Sequence, residues 1–215
     1  LSKPVAAHLL QADESAIEFI DGKFRVEASG QETDILTVAS AYAKFHGSSD
    51  QLTSEYFQEG RIKTYPYGAS AAEIEIDPDT GEMKVCKFAI VDDCGQAVNP
   101  MIVHGQTHGG IAMGAGQAMG ECAFFDLNSG QLLTGSFMDY MMPRADQFPM
   151  FDIGTMEVPS DTNPLRIKAG GEAGTVPALA VIGNAVMDAL SPFGIEHFDM
   201  PYTAARIWAE INKAG

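Results

Sequence analysis

The chain has 215 residues, 46% of them hydrophobic and 20% charged, enough for one or two domains with real cores and unlike collagen, disulfide scaffolds or disordered chains. Asp and Glu number 29 against 13 Lys and Arg, and the resulting formal charge of -16 repels phosphate backbones, which excludes nucleic acid as a general partner. The three cysteines, Cys86, Cys94 and Cys122, form no C-x-x-C pair and suit reduced thiols in the cytoplasm, no eighteen consecutive residues are all apolar, and the first residues lack the basic-then-apolar pattern of a secretory leader.

Residues 3–11 have helical spacing, and the following stretch alternates apolar and polar residues around Asp21-Gly22, a hairpin turn signal, so helix, strand, turn, strand is predicted. Ile35, Val38, Ala39 and Tyr42 share one face of a second helix, with Gly47 past its end. Residues 48–66 are polar and weakly periodic, and read as a flexible or crossing segment. The clearest hairpin follows, with Ile74, Ile76, Met83, Val85, Phe88 and Ile90 flanking the turn Asp77-Pro78-Asp79-Thr80-Gly81.

After Asn99-Pro100 a helix-like stretch carries six glycines, Gly105, Gly109, Gly110, Gly114, Gly116 and Gly120. Each costs about 1 kcal/mol relative to Ala in a helix, so another element or a ligand must come close to this backbone. Strands are expected at AFFDL and QLLTGSFMDYMM around Asn128-Ser129-Gly130, and an edge strand at FDIGTMEVP. A glycine loop then feeds an apolar helix with Thr175 near its N-cap, Pro177 in its first turn and Ser191-Pro192 and Gly194 closing it, and a short helix ends the sequence. Hairpins and helices without repeated βαβ units imply an α+β fold, with a mixed sheet and helices packed mainly on one side.

His104 and His108 stand four apart, at metal-ligand spacing on a helix, but the intervening Gly-Gln-Thr lacks the Glu of a zinc hydrolase, so no metal ligand is assigned among protein side chains. The run Gly114 to Gly120 departs from dinucleotide-fingerprint spacing and does not follow a strand directly. Glu172 is more informative. It lies in Lys168-Ala169-Gly170-Gly171-Glu172-Ala173-Gly174-Thr175, a loop whose glycines let backbone N–H groups turn inward ahead of a helix N-terminus.

Five segments in order resemble the C-terminal part of the large, molybdenum-binding subunit of the xanthine dehydrogenase, aldehyde oxidase and carbon monoxide dehydrogenase family. They are VDDCGQAVNP, GQTHGGIAMGAGQAMGE, GSFMDYMMPRAD, the Asn163-Pro164 region, and GGEAGTVPALAVIGNAVMDAL. The resemblance implies a molybdenum cofactor-binding domain over residues 1–215. It also implies a molybdopterin dinucleotide, of the cytosine form, serving oxidation of an aldehyde, an N-heterocycle or carbon monoxide with water-derived oxygen. Glu172 falls at the family's base, Gln106 where the family contacts the pterin, and Gly105, Gly109, Gly110 and Gly171 where backbone closes on the cofactor. Ala169-Gly170-Gly171 departs from the family's usual run before the glutamate. The implied partners are the upstream half of the large subunit, 2Fe-2S and FAD subunits or domains, and a small-molecule substrate. A chain that opens at Leu1 and moves at once into helical sequence reads as one half of a split site, incomplete alone. The rival readings are an assembly or scaffold domain that keeps the fold without cofactor, and a small zinc enzyme using His104 and His108.

Overall fold

The computed structural model describes residues 1–47, 52–55 and 63–214. Of the stretch 48–66, the described residues carry neither helix nor strand, and the others lie outside the described residues. The chain divides into two compact units, Leu1–Gly60 and Arg61–Gly215.

Among the described residues the first unit holds a three-stranded antiparallel sheet and two α-helices. Helix α1 (Ser2–Leu10) precedes β1 (Ile17–Ile20), β2 (Lys23–Val26) and β3 (Glu32–Asp34), and α2 (Ile35–His46) follows. Asp21 and Gly22 both have positive φ, 50° and 79°, the pairing that lets a two-residue turn match strand twist. The Asp34 carboxylate accepts a hydrogen bond from Thr37 N at 2.7 Å and starts α2, and Gly47 ends it in the left-handed region. The core holds Val5, Ile17, Phe24, Val26, Val38 and Tyr42.

The second unit carries the candidate site. Strands β4 (Tyr67–Ile76) and β5 (Met83–Asp93) form the expected hairpin, with a register shift between Glu73 and Ile74. Asp77 closes the turn by accepting from Asp79 N and Thr80 Oγ1, both at 2.9 Å. Strand β6 (Asp152–Thr155) lies parallel to β5 at the sheet edge, so the sheet is mixed. Ala72, Ile74 and Ile76 of β4 pack against the core, while Glu73 and Lys87 pair at 3.1 Å in solvent. Helices α3 (Pro100–Met119), α4 (Thr175–Leu190) and α5 (Ala204–Ala214) contribute Ile111, Ile182, Val186, Leu190 and Ile207 to the same core, giving the α+β arrangement. The apolar stretch Thr175–Phe193 matches a membrane span by length and composition, but its Ala178, Ile182, Val186, Leu190 face belongs to this core.

One local expectation changes. The alternation at AFFDL and QLLTGSFMDYMM yields a turn and one isolated bridge, Phe125 with Leu132, rather than two strands. Phe137 and Met138 are 82% and 92% exposed, so no packed face fixes a register there. At the start of α4 the cap is Gly174 and Thr175 is the first helical residue, in line with the sequence reading, and a Cβ at Gly174 would collide with Thr107 O and stand 2.8 Å from Ile111 N.

Candidate functional site

The C-terminal end of β5 anchors the loop that carries Glu172. Gly95 bridges Ile167, and Lys168 N donates to Cys94 O at 2.8 Å. Asn163 brackets the preceding turn, donating to Ile167 O at 2.9 Å and accepting from Ile167 N at 3.1 Å. Asp93 is buried, accepts from Gly95 N at 2.8 Å and Val158 N at 2.9 Å, and forms an ion pair with Lys168. Burial alone would raise the Asp93 pKa, but the hydrogen bonds from Lys168, Val158 and Gly95 outweigh it and hold the carboxyl below its ordinary value. The same ammonium sits 4.9 Å from the centre of the Tyr67 ring. Residues 163–168 are thereby fixed to the sheet, and the 169–174 loop leaves from a rigid base.

The far end of that loop docks on α3, which Asn99 starts by accepting from Ile102 N with Pro100 in the first turn. A Cβ at Gly110 would lie 3.0 Å from Thr175 N, and one at Gly114 would lie 2.6 Å from Thr175 O and 2.8 Å from Ala178 Cβ. These two glycines are consumed by the crossing of α3 with the start of α4, so the expectation that Gly110 opens backbone to a cofactor gives way to packing. Gly105 and Gly109 differ: both are exposed, with nothing within 4 Å of where a Cβ would stand. Between them the exposed Gln106 places its amide nitrogen 3.8 Å from the Cβ position of Gly171. Gly105, Gln106, Gly109 and Gly171 therefore share one open strip.

Glu172 comes next along the loop. Its carbonyl accepts from Thr175 N and Val176 N, both at 3.1 Å, which begins α4, while its side chain is exposed. It lines a cavity of about 220 Å³ together with Tyr67, Gly68, Asp92, Val176 and Pro177. The acid and the glycine-bearing helix thus meet through Gly171 and Gln106, but the cavity beside Glu172 is walled by β4 and β5 rather than by the backbone of residues 105–110. A larger hollow of about 710 Å³ lies by the β4–β5 turn and includes none of these residues.

His104 and His108 do not converge as ligands. His108 Nδ1 is 2.9 Å from His104 O, and its ring packs 5.6 Å from Phe151. Among the described residues no group of three His, Cys, Asp or Glu side chains is placed to hold a metal ion.

Sequence reasoning passes over Asp92, which is buried and whose Oδ2 has no hydrogen-bond partner among the described residues. The available signal is the pair Asp92-Asp93 ending an apolar strand. Successive strand residues face opposite sides, so two acids there cannot both point to the same solvent.

An α+β unit presents open helix positions and a primary amide along one strip, and a carboxylate on the next loop residue at a neighbouring cavity. The sequence profile of the molybdopterin cofactor-binding domain matches residues 2–149, and the chain belongs to that family. The carbon monoxide dehydrogenase large chain of Hydrogenophaga pseudoflava is 33% identical over 217 residues, covering 99% of this chain and 27% of the relative. The nicotine 6-hydroxylase large subunit of Paenarthrobacter nicotinovorans is 36% identical over 212 residues, covering 94% of this chain and 26% of the relative. Among solved structures, the Cu,Mo-CO dehydrogenase in its carbon monoxide reduced state superposes with a TM-score of 0.91 at 31% identity, over 99% of this chain and 27% of that one. The chain thus spans about a quarter of the length of these relatives. Glu172 lies beyond the profile match and inside the longer pairwise ones.

Proposed function

We propose that this chain forms one wall of the cofactor and substrate site of a molybdenum-dependent hydroxylase or dehydrogenase. Gln106 is the pterin contact and Glu172 the base. The observation that carries the reading is the strip in which Gly171 lies against the Gln106 amide, with the main chain open at Gly105 and Gly109. Its open backbone and amide fit a heterocycle edge. Lys168, the basic residue of the loop, is committed to Asp93, so the phosphates of a dinucleotide call for cations from elsewhere in a longer protein.

When bound, the molybdenum group supplies the transferred oxygen and takes up the electron pair. The residues of this chain do the rest. Gln106 can donate through Nε2 and accept through Oε1, orienting a heterocycle in its own plane. Gly105 and Gly109 let that ring approach the helix where any side chain would stand in the way. Glu172, at the rim of its cavity on a loop fixed at both ends, receives a proton at a carboxylate oxygen, and fixed geometry is what a general base requires. The cofactor is of the cytosine dinucleotide form, electrons leave through 2Fe-2S and FAD partners, and the assembly works in the cytoplasm. The named relatives act on substrates as different as carbon monoxide and nicotine, so the substrate class stays at small electrophilic carbon.

The test uses the complete large subunit with its partners. Glu172→Gln is expected to retain full molybdenum and pterin content while turnover falls at least about a hundredfold, the scale of a lost general base. Gln106→Ala is expected to lower cofactor content instead. A complex that carries no molybdenum or pterin points to the scaffold reading.

A further inference from the structure

The cavity beside Glu172 holds a second acid. Asp92 stands opposite Gly68 in the β4–β5 ladder, and a Cβ at position 68 would collide with Asp92 Oδ1 and lie 2.5 Å from Val91 O. Glycine at 68 therefore makes the room that the carboxyl fills. Asp92 is 8% exposed, lines the cavity with Glu172, and leaves Oδ2 sealed from solvent without a hydrogen-bond donor among the described residues. Buried polar atoms without partners are rare and costly, and an ionised one more so.

Among the described residues nothing around Asp92 compensates a negative charge. The ammonium of Lys168 is engaged by Asp93, the next residue, and by the face of Tyr67. Among the described residues, Tyr67 on β4, Asp93 at the end of β5, Cys94 just after it, Glu157 after β6 and Glu172 on the loop are the other titratable groups in this region, and none of them is a cation. Burial penalises the charged form, so of the two carboxyls that line this cavity the one with less solvent keeps its proton.

We propose that Asp92 is the neutral partner of Glu172: it holds a proton inside the cavity while Glu172 carries the charge, so that the exposed acid of the pair is the one free to accept a proton. Burial of Asp92 pushes its carboxyl in the same direction. Asp92 is a positioning residue. Its protonation stands on the cavity alone, while the benefit to Glu172 rests on the reading of that residue as the base.

The experiment is a carbon-13 NMR titration of the full chain labelled at the Asp and Glu carboxyls, in wild type, Asp92→Asn and Glu172→Gln. One aspartate signal is expected to remain protonated through the ordinary aspartate range. Asp92→Asn should remove that signal, and Glu172→Gln should let it ionise at lower pH by removing the neighbouring charge. If Asp92→Asn does not fold, the shift in Glu172→Gln identifies the signal by itself. The proposal is overturned if every aspartate ionises in the ordinary range, or if the protonated one is indifferent to Glu172→Gln. An ionised Asp92 in an enzyme that still needs Glu172 removes this inference and spares the base; a protonated Asp92 in an enzyme indifferent to Glu172→Gln does the reverse.

Discussion

Asp92 and Asp93 are neighbours whose environments drive their carboxyls in opposite directions, and stability should record both. Asp93 is held below its ordinary value, so its stabilising contribution is full above the unfolded aspartate pKa of about 3.9 and is lost as pH falls through the lower folded value. Asp92 is held above, so the folded state binds its proton more tightly; the cost of ionising it sets in as pH rises past that same unfolded value and is complete above the folded one. Urea unfolding across pH should therefore show Asp92→Asn gaining on wild type as pH rises. Asp93→Asn should cost about 3–5 kcal/mol near neutrality, because the Lys168 ammonium, 11% exposed, is left buried without its partner. A double-mutant cycle with Lys168→Met isolates that term, since the second substitution removes the stranded charge and should recover much of the loss. Additive losses would mean that the pair is not coupled. The loop of Glu172 stands out in sequence because glycines announce a constrained backbone around it, whereas Gln106 is singled out only by the family resemblance. Asp92 does not stand out, because its significance comes from Gly68 across the sheet, a contact that sequence spacing does not show.

At the scale of elements, the six glycines of the 100–120 segment look alike in sequence and differ in structure. Gly114 is pressed by Thr175 O and Ala178 Cβ at the α3–α4 crossing, while Gly105 and Gly109 face open space on the same helix. Gly114→Ala is expected to overpack that crossing and cost about 1–3 kcal/mol. Gly105→Ala and Gly109→Ala should leave the chain as stable or improve it by up to about 1 kcal/mol, since alanine is the better helix former. If the open strip receives a cofactor, these two stable variants should nevertheless lower pterin content in the complete subunit. Thermal unfolding and pterin assay together separate the two classes, and equal destabilisation at all three positions would contradict the division. The same contrast explains what was readable. The hairpins at Asp21-Gly22 and at 77–81 follow from turn chemistry within a few residues. The strands expected at 123–142 do not form, because alternation specifies a strand only when something covers its apolar face.

For the whole molecule, two features oppose each other. A formal charge of -16 keeps copies apart, while the 124–150 region leaves Phe137, Met138, Leu127 and Met150 almost fully uncovered. Like-charge repulsion between copies is screened over about 10 Å at 0.1 M salt and over about 3 Å at 1 M, whereas apolar attraction is not weakened by screening. The isolated chain should therefore associate more as salt is raised, the opposite of what ion pairing between copies would produce. Phe137→Ser combined with Met138→Ser should weaken that association without affecting folding, because neither side chain belongs to the core. Sedimentation velocity over a salt series measures the effect, and an environment-sensitive hydrophobic dye reports the same surface. A wild-type chain that stays monomeric from low to high salt and binds no dye would show that these side chains fold against one another in solution. If association instead follows the predicted salt dependence and is relieved by the double substitution, the apolar alternation at 123–142 is written for a surface that meets other protein, and its failure to form strands here has a physical cause.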